Sequence, residues 1–164
     1  MSDERILKQA QTVYETICKS LDARGWNYDR HDDRFTITCA ARGEDIPMEL
    51  IIITDPGTQL VSIYSPMPFK VSEDKRAEFA QTVCVANYGM MNGGFDYNIA
   101  TGEVIFRIVS SYRGSILSEE LFDYMVYVAF KTIDDYNDKF LMVEKGMFTA
   151  AQLLEWKKNH FSGK

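Results

Sequence analysis

Between residues 3 and 22 apolar side chains recur every three or four positions: Ile6, Ala10, Val13, Ile17 and Leu21, with Leu7 and Tyr14 widening the stripe. That spacing predicts an amphipathic helix. Asp3 and Glu4 suit the positive end of its dipole, and Gly25 stands just past its end as a C-cap glycine would. The period then changes to two. In "WNYDRHDDRFTITCA" alternation flanks "HDDR", with Phe35, Ile37 and Cys39 on one face and Thr36 and Thr38 on the other. "ARGED" reads as a turn, "PMELIIIT" as a buried strand, "DPGT" as a tight turn and "QLVSIYS" as a fourth strand. "PMPFK" is expected to be irregular, because two prolines so close exclude both helix and central strand.

A second helix is expected to be capped by Ser72, with Glu73 and Asp74 in its first turn and a stripe of Phe79, Ala80, Val83, Cys84 and Asn87. "GGFDYNIATGEVIFRI", residues 93–108, then alternates twice about Gly102, as a β-hairpin would. Phe95, Tyr97, Val104, Phe106 and Ile108 share one face; Asp96, Asn98, Ile105 and Arg107 share the other. No strand precedes Gly93-Gly94 and no helix follows, which excludes a dinucleotide or phosphate cradle. Ser118 opens a long helix with a wide apolar arc from Leu121 to Phe140. The capping box Thr149-x-x-Gln152 opens a last short one carrying Leu153, Leu154 and Trp156. The order is α-β-β-β-β-α-β-β-α-α, which places the chain in the α+β class, with an antiparallel sheet. A length of 164 residues and the lack of any linker make 1–164 one domain, with 145–164 as a C-terminal helical extension.

Charge narrows the partners. A formal net charge of −6 repels phosphate backbones and anionic lipid, so neither nucleic acid nor a membrane surface is an expected partner. "MSDERILKQAQ" does not resemble a signal peptide and no apolar run approaches a membrane span, so the chain reads as cytoplasmic. Cys18, Cys39 and Cys84, odd in number and set in apolar runs, each read as a small buried hydrophobe.

Candidate chemistry is sparse. His31-Asp32-Asp33 could suggest a metal or acid–base cluster, but Asp-Asp between alternating strands is apt for a turn. Asp134 and Asp138 share a helix face with Asp135 nearby, as solvated acidic positions commonly do. His160, near the chain's end, has no evident partner, and no nucleophile elbow is found. These readings predict no catalysis, no metal and no cofactor. Asn87 is a core-facing amide that needs hydrogen bonds, most simply to the "MNGG" backbone. Arg107, amid apolar strand residues, is expected either to snorkel or to pair with a carboxylate across the sheet, with Glu49 and Asp96 as candidates. Asn87, Tyr88, Met91, Phe95 and Arg107 are therefore the candidate binding residues, with a purely structural role as the alternative for each. More telling is that "ELIII" and "VIFRIV" project large apolar groups from both faces of their strands. A sheet wet on one side would alternate cleanly, so the last helix, a second copy or a client must cover the other face.

From "PFKVSEDK" to "VIFRI" the chain resembles the YbjN family of bacterial sensory-transduction regulators. The resemblance rests on the proline-led entry to the helix at Ser72, on Asn87, on Gly94-Phe95, on Gly102 and on Phe106-Arg107. It implies a fold like type III secretion chaperones, a homodimer and a protein client, and it transfers no catalytic residues. The expected function is a non-catalytic adaptor or chaperone-like domain. The alternative is a small-molecule sensor with an apolar pocket between sheet and helix near Tyr88, Met90, Met91 and Phe95.

Overall fold

The structure is a computed structural model that describes residues 3–161. A first helix, α1 (Asp3–Ala23), precedes four strands: β1 (Asp29–His31), β2 (Thr36–Arg42), β3 (Pro47–Asp55) and β4 (Leu60–Lys70). Helix α2 (Arg76–Asn87), the hairpin β5 (Gly94–Asn98) and β6 (Glu103–Ser111), and helices α3 (Glu119–Glu144) and α4 (Ala150–Phe161) complete it. The α+β class and the element order expected above are both present. All strand pairs are antiparallel, in the spatial order β1-β2-β3-β4-β6-β5. The long β4–β6 pairing carries the chain past α2 and leaves β5 at the rim.

Alternation sorts the sheet into two unlike faces. Ile37, Leu50, Ile52, Val61, Ile63, Phe95, Val104, Phe106 and Ile108 are buried on one, beneath α1, α2 and α3. One continuous apolar cluster joins them to the helices, from Ala10 to Leu153. α1 ends on Gly25 at φ 68°, where Gly25 and Trp26 donate backbone bonds to Asp22 and Leu21. The N-cap of α3 is as expected, with the Leu121 N–H donating to Ser118 Oγ at 3.1 Å. The capping box of α4 is closed in both directions, Thr149 N–H to Gln152 Oε1 at 2.9 Å and Gln152 N–H to Thr149 Oγ1 at 3.2 Å.

Four expectations need correction. The "PMPFK" stretch is not irregular, because β4 runs through both prolines to Lys70. β3 pairs with β4 no further than Tyr64, so Pro66 lies where β4 is paired on the β6 side alone, opposite Ile105, and a register shift between Pro66 and Lys70 absorbs the rest. Ser72 makes no side-chain cap; a 3-10 turn, Glu73–Lys75, leads into α2, and Glu144 accepts the Ser72 N–H at 3.1 Å. The buried face of α2 is Phe79, Thr82, Val83 and Ala86, rotated from the expected stripe, which leaves Cys84 exposed rather than buried. Phe35 is not a strand residue: it closes the turn after β1 at φ 46° and packs its ring 5.6 Å from Tyr14.

Two rims and an open face as a candidate binding site

At the C-terminus of α2 the chain turns directly into the rim strand. Asn87 Nδ2 donates to the carbonyl of Phe95, and the Phe95 N–H donates to Asn87 Oδ1, each at 2.8 Å. The tie expected for this amide is therefore made, to Phe95 just beyond the "MNGG" stretch. Asn87, Gly93, Gly94, Asp96, Arg107 and the Phe95 backbone surround a shallow recess of about 400 Å³. Its ionic element is a fork: Arg107 Nε and Nη2 donate to Asp96 Oδ2 and Oδ1 at 2.7 and 3.2 Å. Asp96 lies diagonally across the hairpin, opposite Ile105, and its carboxylate holds the Arg107 guanidinium above its ordinary range. Of the two carboxylates considered for Arg107, Asp96 is the partner.

Three of the five candidate residues, Asn87, Phe95 and Arg107, thus meet at one place, and the other two do not. The Phe95 side chain points away from the recess into the core, 3% exposed, with its ring 4.8 Å from Phe140 and 5.4 Å from Phe106. Tyr88 is 81% exposed and Met91 95%. Tyr88 lines a separate groove of about 680 Å³ among α2, α3 and α4, with Met90, Tyr127, Tyr136, Leu154 and Phe161. An apolar pocket therefore exists near Tyr88 and Met90, but it lies among helices rather than between helix and sheet. Replacing Asn87 by alanine leaves two half-buried backbone groups unpaired, so the unfolding free energy in urea should fall by about 1–3 kcal/mol.

The second face of the sheet is the larger feature. Neighbouring rungs Thr38–Ile51–Tyr64–Arg107 and Thr36–Ile53–Ser62–Val109 run straight across β2, β3, β4 and β6. With Ile105 beside them, Ile51, Ile53, Tyr64 and Val109 form a half-buried apolar strip. No helix covers it among the described residues: α1, α2 and α3 sit on the other face, and α4 packs along α2. Of the three covers considered for this face, the last helix is excluded within the described residues.

The remaining polar clusters are tied into the fold by local contacts. Asp32 opens a 3-10 turn, Asp32–Arg34, accepts from Tyr14 Oη and Arg30 Nε at 2.9 Å each, and is held below the usual carboxylate range, first by Arg30 and then by Tyr14. His31 lies 3.4 Å from Thr38 Oγ1. Asp134 accepts the Glu44 N–H at 2.8 Å and fills the space a side chain at Gly43 would need, and Asp138 pairs with Lys139. His160, expected to lack a partner, stacks on Trp156 at 4.8 Å and lies 3.8 Å from Asp135. Burial pushes the Cys39 thiol up to about 11 and raises that of Cys18, the opposite of what a reactive thiolate needs. No group of three His, Cys, Asp or Glu stands close enough to hold a metal among the described residues. No described helix is long and apolar enough to cross a membrane. Sequence reasoning missed Lys157, whose ammonium donates to the carbonyls of Val85 and Ala86 at 2.9 and 2.7 Å and to that of Tyr88. Desolvation lowers its pKa. Nothing local marks a cation that caps a helix some seventy residues away.

No curated protein matches the chain. A crystal structure of YbjN, a "putative transcription regulator" from E. coli, matches with a TM-score of 0.54 at 11% identity, over 90% of this chain and 92% of that one. The HopA1–SchA chaperone–effector complex matches more loosely, with a TM-score of 0.49 at 12% identity, over 78% of this chain and 92% of that one. The family described as "Putative bacterial sensory transduction regulator" matches residues 14–142, which leaves only the start of α1, the end of α3 and α4 outside it, and the chain belongs to this YbjN family.

Proposed function

We propose that the chain is a non-catalytic protein-binding domain, an adaptor or chaperone-like regulator, and that it works as a homodimer in the cytoplasm. The observation that carries this reading is the uncovered strip of Ile51, Ile53, Tyr64, Ile105 and Val109 on an otherwise finished fold. These side chains are already half covered by one another, so sealing each would add roughly 1 kcal/mol toward holding two copies together. An isologous pair covers both strips with one contact. The E. coli relative is described as "a putative transcription regulator". With a net charge of −6, this chain is poorly suited to grip DNA itself, and regulation by it runs through protein contact. Multi-angle light scattering at micromolar concentration should give the mass of a dimer, and Ile51→Asp should give a folded monomer by circular dichroism. A wild-type monomer overturns the proposal.

A second reading, the small-molecule sensor, has the 680 Å³ groove in its favour, lined by tyrosines, Met90, Leu154 and Phe161. A thermal-shift screen against apolar metabolites separates the two readings, since only the sensor gains stability from a small ligand.

A further inference from the structure

We propose that α4 occupies, in cis, a docking surface on α2 and α3 that accepts a basic amphipathic helix from a partner protein. The family match ends at residue 142, so α4 lies outside the matched stretch. It is built as a separate unit, with its own closed capping box and a short connection that turns at Gly146, φ 71°. Its hold is small: Leu153 alone is fully buried, Trp156 and Lys157 are half-buried, and nearly all the rest is exposed.

Those three residues stand at i, i+3 and i+4, on one helical face. Each meets a feature that defines what the surface accepts. Leu153 enters the core cluster. The Trp156 ring meets Tyr136 edge-on at 5.3 Å, with the Lys139 ammonium 4.4 Å from its centre. Lys157 satisfies the carbonyl end of α2, whose last turn carries no basic residue of its own. Asp135 on α3 lies within reach of His160. The recognition chemistry is thus apolar, aromatic and cationic in that order, on a helix whose last turn carries Lys158 and His160. α4 fills the site incompletely. The adjoining groove stays open, with Tyr88 and Tyr127 largely exposed, so a longer helix would cover more than α4 does.

The test uses the full chain and a fluorescein-labelled peptide of residues 148–161, read by anisotropy. Leu153→Asp releases α4, and the peptide should bind that variant at least tenfold more tightly than the wild type. A peptide with Lys157→Glu should bind neither. Equal affinity for both proteins, or no binding to a folded Leu153→Asp chain, overturns the proposal. Hydrogen exchange on the wild type makes the test independent of that variant's folding. The amides of α4 should exchange at least tenfold faster than those of β4 and β6, and equal protection overturns the proposal. The inference builds on the protein-binding reading but uses another surface. A monomer that takes the helix, or a dimer that does not, tells the two failures apart.

Discussion

Phe95→Ala should lower the unfolding free energy by about 3–5 kcal/mol, measured by urea or thermal melting. The ring stands at the centre of a cage made by Phe106, Tyr136 and Phe140, with centroids 5.4, 5.5 and 4.8 Å away. Those neighbours belong to a strand and a long helix that cannot both collapse inward, so the void persists. A domain of this size has about 5–15 kcal/mol in hand, so the loss is a large share of its stability. The same variant settles the residue's role. If Phe95 were a ligand contact, binding would suffer and stability would not; burial predicts the reverse. A drop of less than 1 kcal/mol would contradict the packing described above.

The second large effect belongs to Gly102. Its φ of 78° is a conformation that other residues hold only under strain, costing about 1–3 kcal/mol. A Cβ there would also run into the carbonyl of Val71, on the chain that accompanies the hairpin turn. That contact matters because the Val71 N–H donates to the Gly102 carbonyl at 2.8 Å, and Gly102 itself donates to Asn98. Gly102→Val should therefore cost about 3 kcal/mol or more, combining backbone strain with the loss of a buried hydrogen bond. Gly89→Ala provides the control. Its φ of 75° is equally left-handed, but a Cβ there meets nothing, so only the strain should register. Equal losses at both positions would mean that the Val71 contact is not made.

What could be read from the chain without coordinates follows from how local each signal is. The hairpin about Gly102, the cap at Ser118 and the box at Thr149 and Gln152 are written within a few residues, and each stands where its pattern placed it. The pairing of Arg107 with Asp96 was legible because alternation puts both on one face of a single hairpin. The open apolar face was legible too, since "ELIII" and "VIFRIV" cannot hide all their side chains on one side. Distant partners carry no such mark. The rotation of α2 toward Thr82 and Ala86 comes with packing against β5, α3 and α4 together, and α4 lies more than sixty residues later. The passage of β4 through Pro66 and Pro68 depends on β3 having already departed, which is a fact about a neighbour and not about the prolines. In the candidate site, the need of Asn87 for a backbone tie and of Arg107 for a carboxylate were legible one by one but their meeting at one recess was not, while the choice of Tyr88 and Met91, both of them exposed, rested on residue type alone.

Asn87 has one more effect, on how the sheet ends. An outer strand offers bare amide and carbonyl groups to any passing chain, which is how soluble proteins begin to clump. By placing its side-chain amide against both backbone groups of Phe95, Asn87 imitates one residue of a neighbouring strand and blunts that border. Among the described residues the opposite border has no such stopper: β1 reaches only as far as Thr38, and Cys39–Arg42 pair with β3 on one side alone. Unwanted growth of this sheet is therefore directed to the β2 end, where Arg42 supplies the charge that discourages it.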